Sequence, residues 1–235
     1  MRTLIALPVI VVVTAIYSIV VSIHMLLWHN GDVFFAYARS WSRKILWLSG
    51  VHVVLDGAEH VVPGERYIYA ANHTSLFDIP VILAFVPDNV RIMYKQELER
   101  IPIFGLGLRL SPFISINRER SRQAAGTLDQ AVESMRTGSS VLVFPEGTRS
   151  KDGSLGEFKR GAFTMAVRSG RAIVPMSILG AHKIIPAGGY WLRGGTVIVT
   201  LHKPLAAAQH ASREQERDLM STVRQIIATD VVSQV

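Results

Sequence analysis

An α/β domain preceded by a membrane-associated helical segment is the fold class that the sequence predicts, and three observations predict it. From Leu4 to Trp28 the chain is almost wholly apolar, with His24 the only side chain there able to carry charge near neutrality. After Gly50, short apolar runs alternate with longer stretches of helical period, which is the punctuation of an α/β fold. The length of 235 residues is enough for one sizeable α/β domain and an appendage, but not for two large domains. Hydrophobic residues make up 49% and mean hydropathy is +0.28, an excess concentrated at the front that points to membrane contact.

The run Leu4 to Trp28 is long enough to span a bilayer. A signal peptide would carry a shorter apolar core and a small-residue cleavage site, so this segment is expected to be retained. His29-Asn30-Gly31-Asp32 is a turn signal. From Val33 to Leu48, Phe34, Tyr37, Ala38, Trp41, Ile45 and Leu48 recur at helical spacing with Arg39, Arg43 and Lys44 elsewhere around the helix. This reads as a basic interfacial helix, with a core helix of the globular domain as the alternative. The positive-inside tendency places the three cations on the cytoplasmic side. Hydropathy leaves open whether the front segment crosses the bilayer or enters one leaflet as a hairpin with the basic helix. Residues 1–49 are thus expected to form a two-helix membrane-associated segment, and residues 50–235 the second unit.

Within that second unit, Val51 to Leu55 and Arg66 to Ala71 read as strands, and a helix from about Asp78 to Phe85 is stopped by Pro87. Val90 to Tyr94 is a strand, Lys95 to Leu110 holds short helical pieces broken by Pro102, Gly105 and Gly107, and Pro112 to Ile116 is a strand ending in Asn117-Arg118. Ser121 to Arg136 is a scaffold helix with Gly138 as its stop. Val141 to Phe144 is a buried strand, Gly161 to Ser169 a helix, and Ile173 to Leu179 and Thr196 to Leu201 strands. Ser212 and Gln215 form a capping box that opens an amphipathic helix running to about Asp230.

The net charge of +7 and a pI near 10.0 call for an anionic partner. Nucleic acid is disfavoured, because basic residues interleaved with stacking aromatics and reader motifs are both missing, and lipid headgroups are favoured. Cysteine is absent, which excludes disulfides, thiolate nucleophiles and Cys-ligated zinc. No His, Asp or Glu cluster has a recognised ligand spacing, so no metal is expected. The Gly-Lys-Ser/Thr of a P-loop is missing too, which argues against nucleotide hydrolysis.

Chemistry concentrates at three strand ends. Asn72-His73-Thr74-Ser75-Leu76-Phe77-Asp78 places an imidazole and a carboxylate just after a strand, and histidine is the default general base near neutral pH. A spacing of five turns two side chains apart on a helix, so the pair meets only if the chain bends between them. The same residues also fit a capped helix start, with Ser75 as cap and Asp78 answering it. Asn117-Arg118 and Pro145-Glu146-Gly147-Thr148-Arg149-Ser150 follow the other strands, and strand carboxyl ends are where open α/β sheets build sites. Arginine forks suit phosphate.

These residues resemble the glycerolipid acyltransferases of the lysophosphatidic acid acyltransferase family, over about Arg66 to Ile178. Asn72, His73 and Asp78 match the first family motif, and Phe144 to Ser150 match the Phe-Pro-Glu-Gly-Thr-Arg-Ser motif in full. Phe113-Ile114 with Ile116-Asn117-Arg118 matches a second motif loosely, with Asn117 where an acid is common, and Ile173-Val174-Pro175-Met176 resembles the apolar fourth. The resemblance implies a mixed central sheet flanked by helices, with residues 50–235 as the acyltransferase domain. It implies acyl transfer from acyl-coenzyme A or acyl carrier protein to the free hydroxyl of lysophosphatidic acid. His73 would be the base and Asp78 its orienting partner, while Arg118 and Arg149, with Lys95 as a lesser contributor, would bind phosphate. Glu146, Gly147 and Thr148 would shape the acceptor site. The donor is then a substrate, no resident cofactor is implied, and the remaining partners are membrane phospholipid and lysophospholipid at the inner, cytoplasmic membrane. Other lysolipid acceptors, a lipid hydrolase and a non-catalytic lipid-binding protein stay open as alternatives, and no oligomeric state is assigned.

Overall fold

A computed structural model describes residues 2–116, 126, 128–129, 131–133, 135, 138–186, 188–189 and 191–232. The chain opens with two long helices, α1 (Arg2–Trp28) and α2 (Gly31–Ser49). Asn30 caps α2 by accepting from the Asp32 and Val33 N–H groups, and Gly50 ends it in the left-handed region. The sheet strands follow as β1 (Val51–Asp56), β2 (Ile68–Ala71), β3 (Val90–Lys95), β4 (Ile114–Ile116), β5 (Ser140–Val143), β6 (Ile173–Leu179) and β7 (Gly195–Leu201). Between and after them lie α3 (Asp78–Phe85), α4 (Phe104–Arg109), α5 (Gly161–Ser169), α6 (Ala181–Ile184) and α7 (Arg213–Val232). Most of the expected helix Ser121 to Arg136 lies outside the described residues; those described within it are helical, and Ala131, Val132 and Met135 are buried.

The seven strands form one mixed sheet in the order β1-β7-β6-β2-β5-β3-β4. β6 and β7 are antiparallel, and every other neighbouring pair is parallel. The strands β6, β2, β5, β3 and β4 therefore all end on one edge of the sheet. β2 sits between β5 and β6 with all four residues buried, and its alternation sorts them onto two cores. Tyr69 and Ala71 pack with residues of α2 and α3, while Ile68 and Ala70 pack with α5 and α7. The result is three layers with the sheet in the middle. At α7, Ser212 and Gln215 exchange N–H bonds at 2.8 and 3.2 Å, the capping box expected there.

The front helices lie against the domain. At the start of α1 the Thr3 hydroxyl donates to Leu192 O at 3.1 Å and accepts from Leu192 N at 3.2 Å. Fifteen and nineteen residues further on, Ser18 and Ser22 lie beside Gly107 of α4, where a Cβ would meet them in van der Waals contact at 3.6 to 3.7 Å. Phe113 packs edge-on against Phe34 of α2, with ring centroids 5.1 Å apart. The outer side of α1 remains apolar and open, with Leu4, Val11, Ile16, Ile23 and Leu27 all exposed, and the helix is long and apolar enough to enter a membrane.

The basic helix α2 packs one face inward and keeps Arg43 and Lys44 outside. Its buried face carries Phe34, Phe35, Ser42, Ile45 and Leu46 and is turned toward α1 and the core, leaving Trp47 outside at 78% exposure. Arg39 is drawn inward to donate to Asp88 O, while Arg43 and Lys44 are exposed.

Candidate active site

β2 delivers the chain to the carboxyl edge and Asn72 locks it there. The Asn72 amide is buried and acts as a substitute peptide, donating to Ile178 O at 2.9 Å and accepting from Ile178 N at 2.7 Å, which ties the ends of β2 and β6 together. Residues 72 to 77 then turn before α3 starts at Asp78, and this bend brings the imidazole and the carboxylate together as the spacing requires. His73 Nδ1 lies 2.7 Å from Asp78 Oδ2. The Asp78 side chain is fully buried and that of His73 is 18% exposed.

The same oxygen accepts from the Thr74 and Ser75 N–H groups at 2.8 and 2.9 Å. The acid half of the capping pattern is therefore present, but Ser75 does not complete it. Its hydroxyl accepts from Phe77 N and donates to Ile185 O, pinning the turn to the segment after α6. With two backbone donors on Oδ2, the oxygen is an acceptor toward the ring as well, which sets the proton on Nδ1 and leaves Nε2 as the basic nitrogen. Among the described residues nothing bonds Nε2.

The turn Phe144 to Ser150 at the end of β5 holds His73 from the other side. Glu146 is buried, accepting His73 N on Oε1 and Gly156 N on Oε2, both at 2.8 Å. Ser150 N donates to His73 O at 2.8 Å. Burial pushes the Glu146 carboxyl above the usual range, against the lowering by the two N–H bonds. The ring of Phe144 stacks on His73 at 3.9 Å with 16° between planes. Gly147 has a φ of 75°, which favours glycine, and Gly156 is close enough to Glu146 that a Cβ would meet Oε2 at 2.9 Å.

A cleft of about 450 Å³ opens over this turn, lined by Glu146, Thr148, Arg149 and the segment that follows as far as Lys159. The structure thus brings together His73, Asp78, Glu146, Gly147, Thr148 and Arg149. Lys95 ends β3, one strand beyond β5, outside the cleft lining, and its Nζ pairs with Glu97 at 3.3 Å. Arg118, like Asn117, lies outside the described residues. Sequence reasoning missed the Phe144 stack, the Gly156 N–H and Lys159. The first of these sat inside a motif already singled out, whereas the other two carried no local signal.

An imidazole held by a buried carboxylate, with its outer nitrogen bonded by nothing among the described residues, is an arrangement able to activate an incoming nucleophile. A family model described as acyltransferase matches residues 52–179, just over half of the chain, and the chain belongs to that family. Among its relatives, the chloroplastic 1-acyl-sn-glycerol-3-phosphate acyltransferase LPAT1 of Arabidopsis thaliana is 37% identical over 153 residues, 64% of this chain and 43% of that protein. This chain therefore spans less than half the length of that relative. The 1-acyl-sn-glycerol-3-phosphate acyltransferase of Borreliella burgdorferi is 28% identical over 190 residues, 81% of this chain and 76% of that one. The crystal structure of the 1-acyl-sn-glycerophosphate acyltransferase PlsC from Thermotoga maritima superposes with a TM-score of 0.84 at 28% identity, covering 99% of this chain and 94% of that one.

Proposed function

We propose that the protein transfers a fatty acyl group from a thioester to the free hydroxyl of lysophosphatidic acid, yielding phosphatidic acid. The observation that carries this reading is the 2.7 Å contact between His73 Nδ1 and the buried Asp78, with the His73 backbone held by Glu146, which lines the cleft that holds Arg149. Nε2 takes the proton of the acceptor hydroxyl as its oxygen attacks the thioester carbonyl. The new C–O bond forms, the C–S bond breaks, and the imidazolium returns the proton to the departing thiolate. Asp78 holds the ring and stabilises the imidazolium, as the acid does in a serine-hydrolase triad, with the acceptor hydroxyl in place of serine.

The N–H groups of His73, Thr74, Ser75, Gly147 and Ser150 are committed to internal acceptors. Those of Glu146, Thr148 and Arg149 have no acceptor among the described residues and are donors on this turn left for the oxyanion. Arg149 binds the acceptor phosphate, with Lys95 at the end of β3 as a further cation and Arg118 proposed for the same role from its place in the sequence alone. The reaction as written balances without a resident metal or cofactor. Acyl-coenzyme A and acyl carrier protein both supply the thioester.

The membrane arrangement follows from α1. The helix is about 40 Å long by its rise of about 1.5 Å per residue, and from Thr3 to Ser22 it is bonded or packed along the domain. We propose that it lies within one leaflet with its open apolar side to the lipid, presenting the site to the cytoplasmic face of the inner membrane.

The test is turnover of lysophosphatidic acid and of uncharged monoacylglycerol in mixed micelles, with acyl-coenzyme A and acyl carrier protein donors in separate arms. Phosphatidic acid should form with wild type and not with His73→Ala, and Arg149→Ala should raise KM for lysophosphatidic acid more than for monoacylglycerol. Equal turnover by His73→Ala, or fatty acid released without an acceptor, would overturn the reading.

A further inference from the structure

Three cations line the cleft over the Glu146 turn, namely Arg149, Lys151 and Lys159. Among the described residues none of them makes an ion pair or a side-chain hydrogen bond. Two of the three acids beside them are already occupied. Both oxygens of Glu146 accept backbone N–H groups, and Asp152 Oδ1 accepts from Ser150 Oγ, Ser154 N and Ser154 Oγ, which leaves Glu157 as the third acid. The bonded carboxylates keep their charge, so the lining holds three cations and three acids, but the three cations are the groups whose donors remain unspent.

Lys159 is the most firmly placed of the three. Its N–H donates to Pro145 O at 2.8 Å, so its backbone runs beside the turn that carries Arg149. Its side chain folds over Gly147 so closely that a Cβ there would stand 2.9 Å from Nζ. The missing side chain at position 147 is what lets an ammonium settle against this turn.

We propose that Lys159 is the second cationic arm of the acceptor-phosphate site, and that Arg149 and Lys159 together select a phosphomonoester over a phosphodiester headgroup. This rests on the acyl-transfer reading above. A monoester loses its second proton near pH 6 and then carries close to two negative charges, whereas a diester carries one. Arginine grips two oxygens through its fork, and lysine supplies a compact charge with three donors to the remaining oxygen.

The experiment measures inhibition of lysophosphatidic acid turnover by sn-glycerol 3-phosphate and by its methyl diester, between pH 5.5 and 8. Wild type, Lys159→Ala, Lys159→Gln, Lys159→Arg and Arg149→Ala are compared, each with its melting temperature. For wild type the monoester should bind more tightly as the pH rises through about 6. Lys159→Ala and Lys159→Gln should weaken the monoester about tenfold or more above that pH, leave the diester within about twofold, and flatten the pH dependence. Lys159→Arg should retain most of the preference. Equal weakening of both inhibitors, a fall in kcat with the pH dependence intact, or no change would each overturn the assignment of Lys159. If Arg149→Ala weakens the monoester while the Lys159 variants do not, only this inference fails. If wild type shows no turnover, or if Arg149→Ala has no effect on the monoester either, the underlying reading of the site fails with it.

Discussion

Replacing Asp78 by asparagine separates charge from geometry at the His73 pair. Oδ2 accepts from His73 Nδ1 at 2.7 Å and from the Thr74 and Ser75 N–H groups at 2.8 and 2.9 Å, while Oδ1 has no partner. An amide must therefore present its oxygen at the Oδ2 place, because its NH2 group there would face two N–H donors. The tautomer is kept and only the charge is lost. Two unit charges about 4 Å apart at an effective dielectric near 20 attract by about 4 kcal/mol. The neutral hydrogen bond that remains returns about 1 kcal/mol of this. The net loss of about 3 kcal/mol from the imidazolium-bearing transition state corresponds to a fall in kcat of about a hundredfold. The assay is kcat at saturating donor and acceptor, with melting temperatures taken alongside. Asp78→Asn should melt somewhat below wild type, since its NH2 group takes the buried, unpartnered Oδ1 place. Asp78→Ala should melt lower, since it strands two buried N–H groups at about 1–3 kcal/mol each. A loss from Asp78→Asn as deep as that of His73→Ala would show that the amide had turned its NH2 to the ring, and a loss below about tenfold would remove the carboxylate charge from the mechanism.

Glu146→Gln is expected to lower kcat about ten- to a hundredfold, because an amide can satisfy only one of the two N–H groups held by the carboxylate, so either His73 N or Gly156 N is left unpaired and the turn beside His73 shifts. Burial holds the Glu146 carboxyl above its ordinary value of 4.5, so the folded state takes up this proton more readily than the unfolded chain. As the pH falls through that window, its contribution to stability grows while activity declines; paired melting and rate profiles that fell together would contradict this. Glu216 receives Arg160 through two bonds of 3.0 Å and Thr164 at 2.9 Å, joining α5 to α7. Since the arginine is half exposed, Glu216→Ala should cost about 1–2 kcal/mol and a few degrees of Tm. Burial raises the Glu216 carboxyl, but the Arg160 and Thr164 bonds outweigh it and the net shift is downward. The stabilisation is therefore present above pH 4.5 and is lost as the pH falls through the lowered value, so the Tm gap between wild type and Glu216→Gln should close in acid. A gap independent of pH would refute the charge as its source.

What could be read from the chain is whatever depends on neighbours in sequence. The helix Asp78 to Phe85 is predicted at both ends because Pro87 stops it and an acid starts it, and the complete burial of β2 follows from four apolar residues between turns. The stripe Phe34, Tyr37, Ala38, Trp41 and Ile45 of α2 was readable and does turn inward, but its edge was not: only the positions of α1 and α3 decide that Leu46 goes in and Trp47 stays out. Lys95 reads as a free cation until β3 turns and brings Glu97 to it. Glu146 and Gly156 are ten positions apart with no pattern linking them, and only the fold of the segment between them places one on the other.

The capping and catalytic readings of Asn72 to Asp78 were posed as rivals, and only the acid half of the cap forms: α3 has no side-chain cap bond, yet Asp78 Oδ2 accepts the Thr74 and Ser75 N–H groups as well as facing His73. A carboxylate that merely capped α3 would not need His73, and one that merely oriented His73 would be free to rotate. Held by the Thr74 and Ser75 N–H groups, Asp78 Oδ2 has no rotational freedom to lose when the imidazole becomes charged. The helix start preorganises the base. A helix-start pattern beside a histidine is thus weak grounds for dismissing a site, because the backbone donors that make a good cap also fix a catalytic acid in place.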